Sequence, residues 1–276
     1  MKGKHWAIAA LVIVIAALAG YFFLLPTREE PPPPTVAIAP PPQAAPATPE
    51  PSAPAPVPAV APEPPAILHP IDAIPSEEPL PELGKSDAPF RKALGAVIGK
   101  KGLALVLSEE LIYHIVVTVD NLPRKHLSAN VVPLKRAEGS FVTEGKDETL
   151  AIGIGNAARY SVYTAAIKAV DSAKLVAVYR RFYPLFERAY HELGYPNAHF
   201  NDRLVVAIDD LLAAPDLEAP VRLAQPKILY EYADPDLEGR SAGQKIMMRI
   251  GRANAALFKG KLREIRQLVA SNPGSR

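Results

Sequence analysis

The chain has 276 residues, 31 of them proline and none cysteine, with 31 Lys or Arg against 29 Asp or Glu. The length allows one or two domains, and the absence of cysteine excludes disulfides and thiolate metal sites. A formal charge of +2 hides an asymmetry: residues 1–82 carry three basic and eight acidic residues, residues 83–276 carry 28 and 21. A basic folding region favours anionic partners without choosing among them.

In chain order, the first predicted element is WAIAALVIVIAALAGYFFLL, residues 6–25, twenty residues without a charge. At about 1.5 Å of rise per residue it matches the roughly 30 Å hydrocarbon thickness of a bilayer, which predicts a single transmembrane helix. Lys2 and Lys4 precede it, whereas Arg28 is followed at once by Glu29 and Glu30. The positive-inside rule then keeps residues 1–5 in the cytoplasm and exports the remainder. Ala17-Leu18-Ala19 before Gly20 also has the small-residue pattern of a signal-peptide cleavage site. The apolar run continues past it, so an uncleaved signal-anchor is preferred.

Residues 26–82 hold 21 of the 31 prolines. Proline fixes φ and pushes its predecessor out of the helical region, so polyproline II is the local preference and a disordered spacer is expected. Fully extended at about 3.1 Å per residue, it would reach on the order of 170 Å.

An exported, mostly α-helical domain is expected over 83–271, with 272–276 as a flexible tail. Phe90, Leu94, Val97 and Ile98 repeat at helical spacing after a Ser86 or Asp87 cap and Pro89. Leu111, Ile112, Ile115, Val116 and Val119 form one apolar stripe, although IVVTV has strand-like composition. Periodicity decides for a helix over about 109–119. Phe141-Val142-Thr143 and Thr149–Ile152 flank EGKDE, which allows one small hairpin. ARYSVYTAAIKAV is a further helix. Asp171 or Ser172 caps the next, whose Leu175, Tyr179, Phe182, Phe186, Tyr190 and Leu193 form an aromatic seam. Pro184 should kink or restart it. NDRLVVAIDDLLAAPD is an amphipathic helix, and a last one over about 252–270 presents Ala256, Phe258, Leu262, Ile265 and Leu268 or Val269 to the body.

The strings VVTVDNLPR (116–124), VAVYRRFYPLFERAYHELGYP (176–196), FNDRL (200–204), QPKILYEYADPDLE (225–238) and SAGQK (241–245) carry a resemblance. Through them the chain resembles, over roughly 80–270, a bacterial family of uncharacterised envelope proteins, the domain of unknown function 3014. The resemblance implies topology and membership. It brings no catalytic or ligand residue with it.

The residues themselves offer little catalytic chemistry. Gly153-Ile154-Gly155-Asn156-Ala157-Ala158 has the G-x-G-x-x-A form, but no βαβ unit surrounds it, so it reads as a turn into a helix. The six histidines include no HExxH and no i, i+4 pair, and no serine sits in a nucleophile elbow. No cofactor and no metal is expected. Carboxylates such as Glu187, Asp202, Asp209 and Asp210 keep one enzymatic alternative open, a peptidoglycan-acting glycan hydrolase or lyase. Aromatic and basic residues share one stretch, where Tyr183 and Arg180 leave the core face and are candidate binding residues. On the last helix Arg252, Lys259, Arg263 and Arg266 should form a basic stripe opposite its apolar face.

The reading that follows is a single-pass bacterial inner-membrane protein with its N-terminus cytoplasmic and its C-terminal domain in the periplasm. Its expected role is a non-catalytic binding or scaffolding module of the cell envelope. Its expected partners are the inner membrane through residues 6–25 and an envelope protein, peptidoglycan or anionic lipid, with no nucleic acid.

Overall fold

A computed structural model describes residues 66–75 and 78–270. Helix α1 (Asp87–Leu103) buries Phe90, Leu94 and Ile98, and is interrupted at Gly99, whose φ of +67° suits a residue without Cβ. Asp87 does not serve its own helix. Its carboxylate accepts the amides of Glu110 and Leu111 at 2.7 and 2.8 Å, and so closes the N-terminus of α2 (Leu111–Asn121) across the intervening loop. The β-branched run that reads ambiguously in sequence sits in α2, which buries Leu111, Ile112, Ile115, Val116, Val117, Thr118, Val119 and Asp120. Burial on nearly every face marks a central helix, and α2 packs against the long aromatic helix and the one after it.

After a short α3 (Ser161–Lys168), helix α4 (Ser172–Glu192) starts on Asp171, whose side chain accepts from the amides of Ala173 and Lys174 at 3.0 and 3.2 Å. The expected seam is buried: Leu175, Tyr179, Phe182, Phe186 and Tyr190 all lie in the core. Phe90 meets Phe182 edge-on at 5.2 Å, and Phe186 stacks on Phe200 of α5 (Phe200–Leu212) at 5.6 Å. The expected restart at Pro184 does not occur; α4 is continuous from Ser172 to Glu192 with the exposed Pro184 inside it. The last helix, α8 (Arg252–Ala270), closes the body against α4 and α5, burying Phe258, Leu262, Ile265 and Val269. Its phase differs by one residue from expectation near the start, where Ala255 is buried and Ala256 exposed.

Two small antiparallel ribbons cover one side. β1 (Thr143–Glu144) pairs with β2 (Ala151–Ile152) around the EGKDE turn, as expected. β3 (Leu223–Ala224) pairs with β4 (Glu231–Tyr232), a ribbon not expected from sequence. The Ile152 amide donates to the Val221 carbonyl at 3.0 Å, which joins the ribbons into one layer with its own cluster around Leu223, Tyr232 and Met248. A single turn, α6 (Pro235–Glu238), and α7 (Ala242–Arg249) return the chain to the body.

The single transmembrane helix expected over 6–25 lies outside the described residues. Among the described residues no helix is long and apolar enough to cross a membrane. Helices α4 and α8 have the length, but their faces alternate buried apolar and exposed charged residues, as packing on a domain core requires. The fold is therefore corrected to a mainly α-helical domain with two short ribbons. The signal-anchor, the single-pass inner-membrane localisation, the periplasmic envelope role and the membrane partner all rested on that span, and none is carried forward.

Candidate functional site

The first turn of α5 holds a segment from far upstream in the chain. Asn201, fully buried, donates from Nδ2 to the carbonyls of His69 and Val269 at 2.7 and 2.9 Å, and its Oδ1 accepts from the Tyr179 hydroxyl at 3.2 Å. Asp202, beside it, accepts the amides of Leu68 and His69 at 3.1 and 2.7 Å. A carboxylate in the first turn of a helix is also favoured by the helix dipole. Between them the two side chains satisfy both backbone groups of His69 and ignore its imidazole.

The same segment continues along α4. Arg180 donates from Nε to the Asp72 carbonyl at 2.8 Å, and the Arg180 carbonyl accepts the Ile74 amide at 3.3 Å. That carbonyl would ordinarily bond the amide four residues on, which is Pro184 and has no N–H. The proline thus leaves an acceptor open on the surface of α4. Arg181 pairs with Glu78 at 3.1 Å, and Ile71, Leu80 and Leu83 rest on the core. The described stretch of the expected spacer thus lies against the helical body, held mainly through its backbone.

Under this segment, Glu187 accepts from the Tyr183 hydroxyl and the Phe200 amide, both at 2.8 Å, and lies 2.6 Å from His199 Nδ1. Burial and the Glu187 carboxylate hold the Tyr183 phenol far above its ordinary value. Glu187, a candidate for glycan chemistry by sequence, is committed to anchoring the start of α5. Asp202 serves the clamp.

A second polar group joins most of the strings that carried the family resemblance. Buried Asp120 accepts from Arg203 Nε at 2.9 Å and Arg124 Nη2 at 2.7 Å, and Arg203 also donates to the Asp120 carbonyl. Arg124 reaches the Tyr195 hydroxyl at 2.6 Å. Asp210 accepts from Ser241 and Gln244 at 2.6 and 2.8 Å, while the Ala242 and Gly243 amides donate to the carbonyls of Arg124 and Leu122. Gly243 allows that approach, since a Cβ there would stand 2.7 Å from Leu211 Cδ2. Each charge has partners of opposite sign or complementary hydrogen bonding, the condition under which burial is tolerated.

The candidate residues read from sequence are dispersed. Arg180 belongs to the clamp, and Tyr183 is half-buried on Glu187. The basic stripe of α8 faces an acidic ladder that sequence spacing does not reveal. Arg252 pairs with Glu218 at 2.6 Å, Lys259 with Asp216 at 2.6 Å, and Arg266 with both oxygens of Asp209. The Lys259 hydrogen bond holds the Asp216 carboxyl below its usual range, with Arg252 and Arg263 adding to the effect. Lys259 is buried rather than on a wet face, its stem covered and its ammonium also bonded to the Ala214 carbonyl. Arg263 remains exposed. Sequence reasoning missed Asn201 and the role of Asp202; FNDRL marked them by resemblance alone.

Fold and polar interior together define a helical domain with an extended segment docked along two helices. The sequence profile described as "Protein of unknown function (DUF3014)" matches residues 111–266, and the chain belongs to that family. No curated protein and no solved structure matches it.

Proposed function

We propose that the domain is a non-catalytic docking module whose α4–α5 face receives extended peptide backbone, and that the segment described over 66–75 and 78–82 is its built-in occupant. The observation carrying this reading is the pair Asn201 and Asp202, which meet the amide and carbonyl of His69 without using its side chain. Arg180, through its side chain and the carbonyl left open by Pro184, repeats the same backbone chemistry farther along. Main-chain bonding of this kind gives affinity with little sequence demand, and proline-bearing segments dock at low entropic cost. The carboxylates that could serve as acid or base are engaged in holding helices and the segment together, which supports binding over hydrolysis.

The test is binding in trans. A labelled peptide of residues 64–80, added to a chain shortened to residues 81–276, should bind saturably at one site. Asp202→Ala should weaken it by at least about tenfold, since it removes two hydrogen bonds to a charged group, each contributing about 1.5–3 kcal/mol. Failure to bind a shortened chain that retains its helical circular dichroism, or equal binding by the Asp202→Ala variant, would overturn the reading.

A further inference from the structure

The docked segment places its aliphatic side chains unequally. Ile67, Leu68 and Ile74 stand 49%, 73% and 38% exposed, although Leu68 and Ile74 are held by their amides. Ile71 is half-buried and packs on the main core. The prolines are placed just as selectively. Pro70 follows His69, whose amide donates to Asp202 at 2.7 Å, and Pro75 follows Ile74, whose amide donates to the Arg180 carbonyl at 3.3 Å. Proline has no N–H to offer, and it drives the residue before it out of the helical region toward extended backbone. Each of these prolines stands one place past a held amide and favours the extended conformation in which that amide is held.

We propose that the α4–α5 face selects extended segments of the form x-Pro-Ile-x-x-x-Pro, as in His69-Pro70-Ile71-Asp72-Ala73-Ile74-Pro75, with an N–H on the residue before each proline and Ile71 as the side-chain anchor. This selectivity rests on the docking role of the same face and adds which segments it takes. The two elements fix the register from both sides. Moved one place so that Pro70 stands where His69 does, the segment offers proline to Asp202 and to the Arg180 carbonyl, and both acceptors lose their N–H. Moved the other way, it sets Pro70 in place of Ile71 on the core. Isoleucine suits an anchor in extended backbone, because its branched side chain is already stiff about χ1 and gives up little freedom on packing. Leu68, Asp72 and Ala73 are exposed and free to vary.

The experiment is amide hydrogen exchange of the full-length protein, read at His69 and Ile74 and corrected for neighbouring side chains, with helical circular dichroism unchanged in every variant. Ile71→Ala should speed both sites about tenfold, the loss expected when a half-buried aliphatic side chain leaves the core. Ile71→Val should stay within about threefold of the parent, and Leu68→Ala, at the exposed position, within about twofold. Pro70→Ala should speed both sites about threefold by returning freedom to the undocked segment. His69→Pro, which withdraws the amide that Asp202 holds, should speed Ile74 at least about tenfold. Asp202→Ala separates the selectivity from the docking role beneath it. Faster His69 exchange in that variant, together with equal rates in Ile71→Ala and Leu68→Ala, overturns the selectivity and leaves the docking role standing. So does Ile74 exchange that is unchanged in His69→Pro. Unchanged His69 exchange in Asp202→Ala overturns both.

Discussion

Lys259 Nζ and Asp216 Oδ1 stand 2.6 Å apart, the lysine side chain 7% exposed and the aspartate 56% exposed. The same ammonium bonds the Ala214 carbonyl at 2.6 Å, so Lys259 ties α8 to the chain leaving α5. Lys259→Gln draws the donor back from the Ala214 carbonyl at a buried point, while the exposed Asp216 carboxylate turns to solvent, and should cost about 1–3 kcal/mol in urea unfolding. Arg252→Gln and Arg263→Gln, on exposed side chains, should each cost less than about 1 kcal/mol. Equal costs for all three would show that burial of Lys259 contributes nothing.

Pro184→Ala restores an N–H opposite the Arg180 carbonyl, which now bonds Ile74. Hydrogen exchange at the Ile74 amide should accelerate several-fold while α4 keeps its protection, since the helix amide competes for the same acceptor at a cost of about 1 kcal/mol. An unchanged Ile74 rate would separate the docking of this segment from the proline.

Asp120→Ala leaves Arg203 and Arg124 facing one another without their shared carboxylate. Removing one member of a buried charge group should destabilise by about 3–5 kcal/mol in chemical denaturation. Arg124, whose side chain is 48% exposed, can turn to solvent, so Arg124→Ala should cost clearly less. The reverse order would place the weight of the group on Arg124.

Burial pushes the phenols of Tyr163 and Tyr190 up to about 12, and those of Tyr179 and Tyr232 well above their ordinary value. Folded values above unfolded ones mean that their contribution is intact below about pH 10 and is lost as pH rises through about 12, because the unfolded chain releases these protons first. Burial pushes the Arg249 guanidinium down to about 9, which acts in the opposite sense over the same window, but as one group against several. The urea midpoint should therefore fall between about pH 10 and 12, with tyrosinate absorbance rising in step with unfolding. Tyrosinate formation in the folded protein near its ordinary pH would contradict this.

What could be read from sequence follows from locality. The seam of Tyr179, Phe182, Phe186 and Tyr190, the cap at Asp171 and the turn around EGKDE are set by neighbours within a few positions, and spacing reveals them. The partners of α8 were invisible for the opposite reason. Asp209, Asp216 and Glu218 are 57, 43 and 34 positions from Arg266, Lys259 and Arg252, and only the packing of α5 against α8 brings them together. The second ribbon left no signal because two-residue strands are too short to show alternation. The clamp was hidden because it reads backbone, and a backbone group leaves no mark in a sequence.

Asn201 grips the carbonyls of His69 and Val269 with one nitrogen, so positions 200 apart in the chain meet at a single point on the molecule. Tension applied between the segment before Leu68 and the end of α8 would load that point first. The bonds would break in succession, like a zip, while the core around α2 bore none of the force. A domain gripped this way yields its leading segment at low load and keeps its body intact, as a latch does.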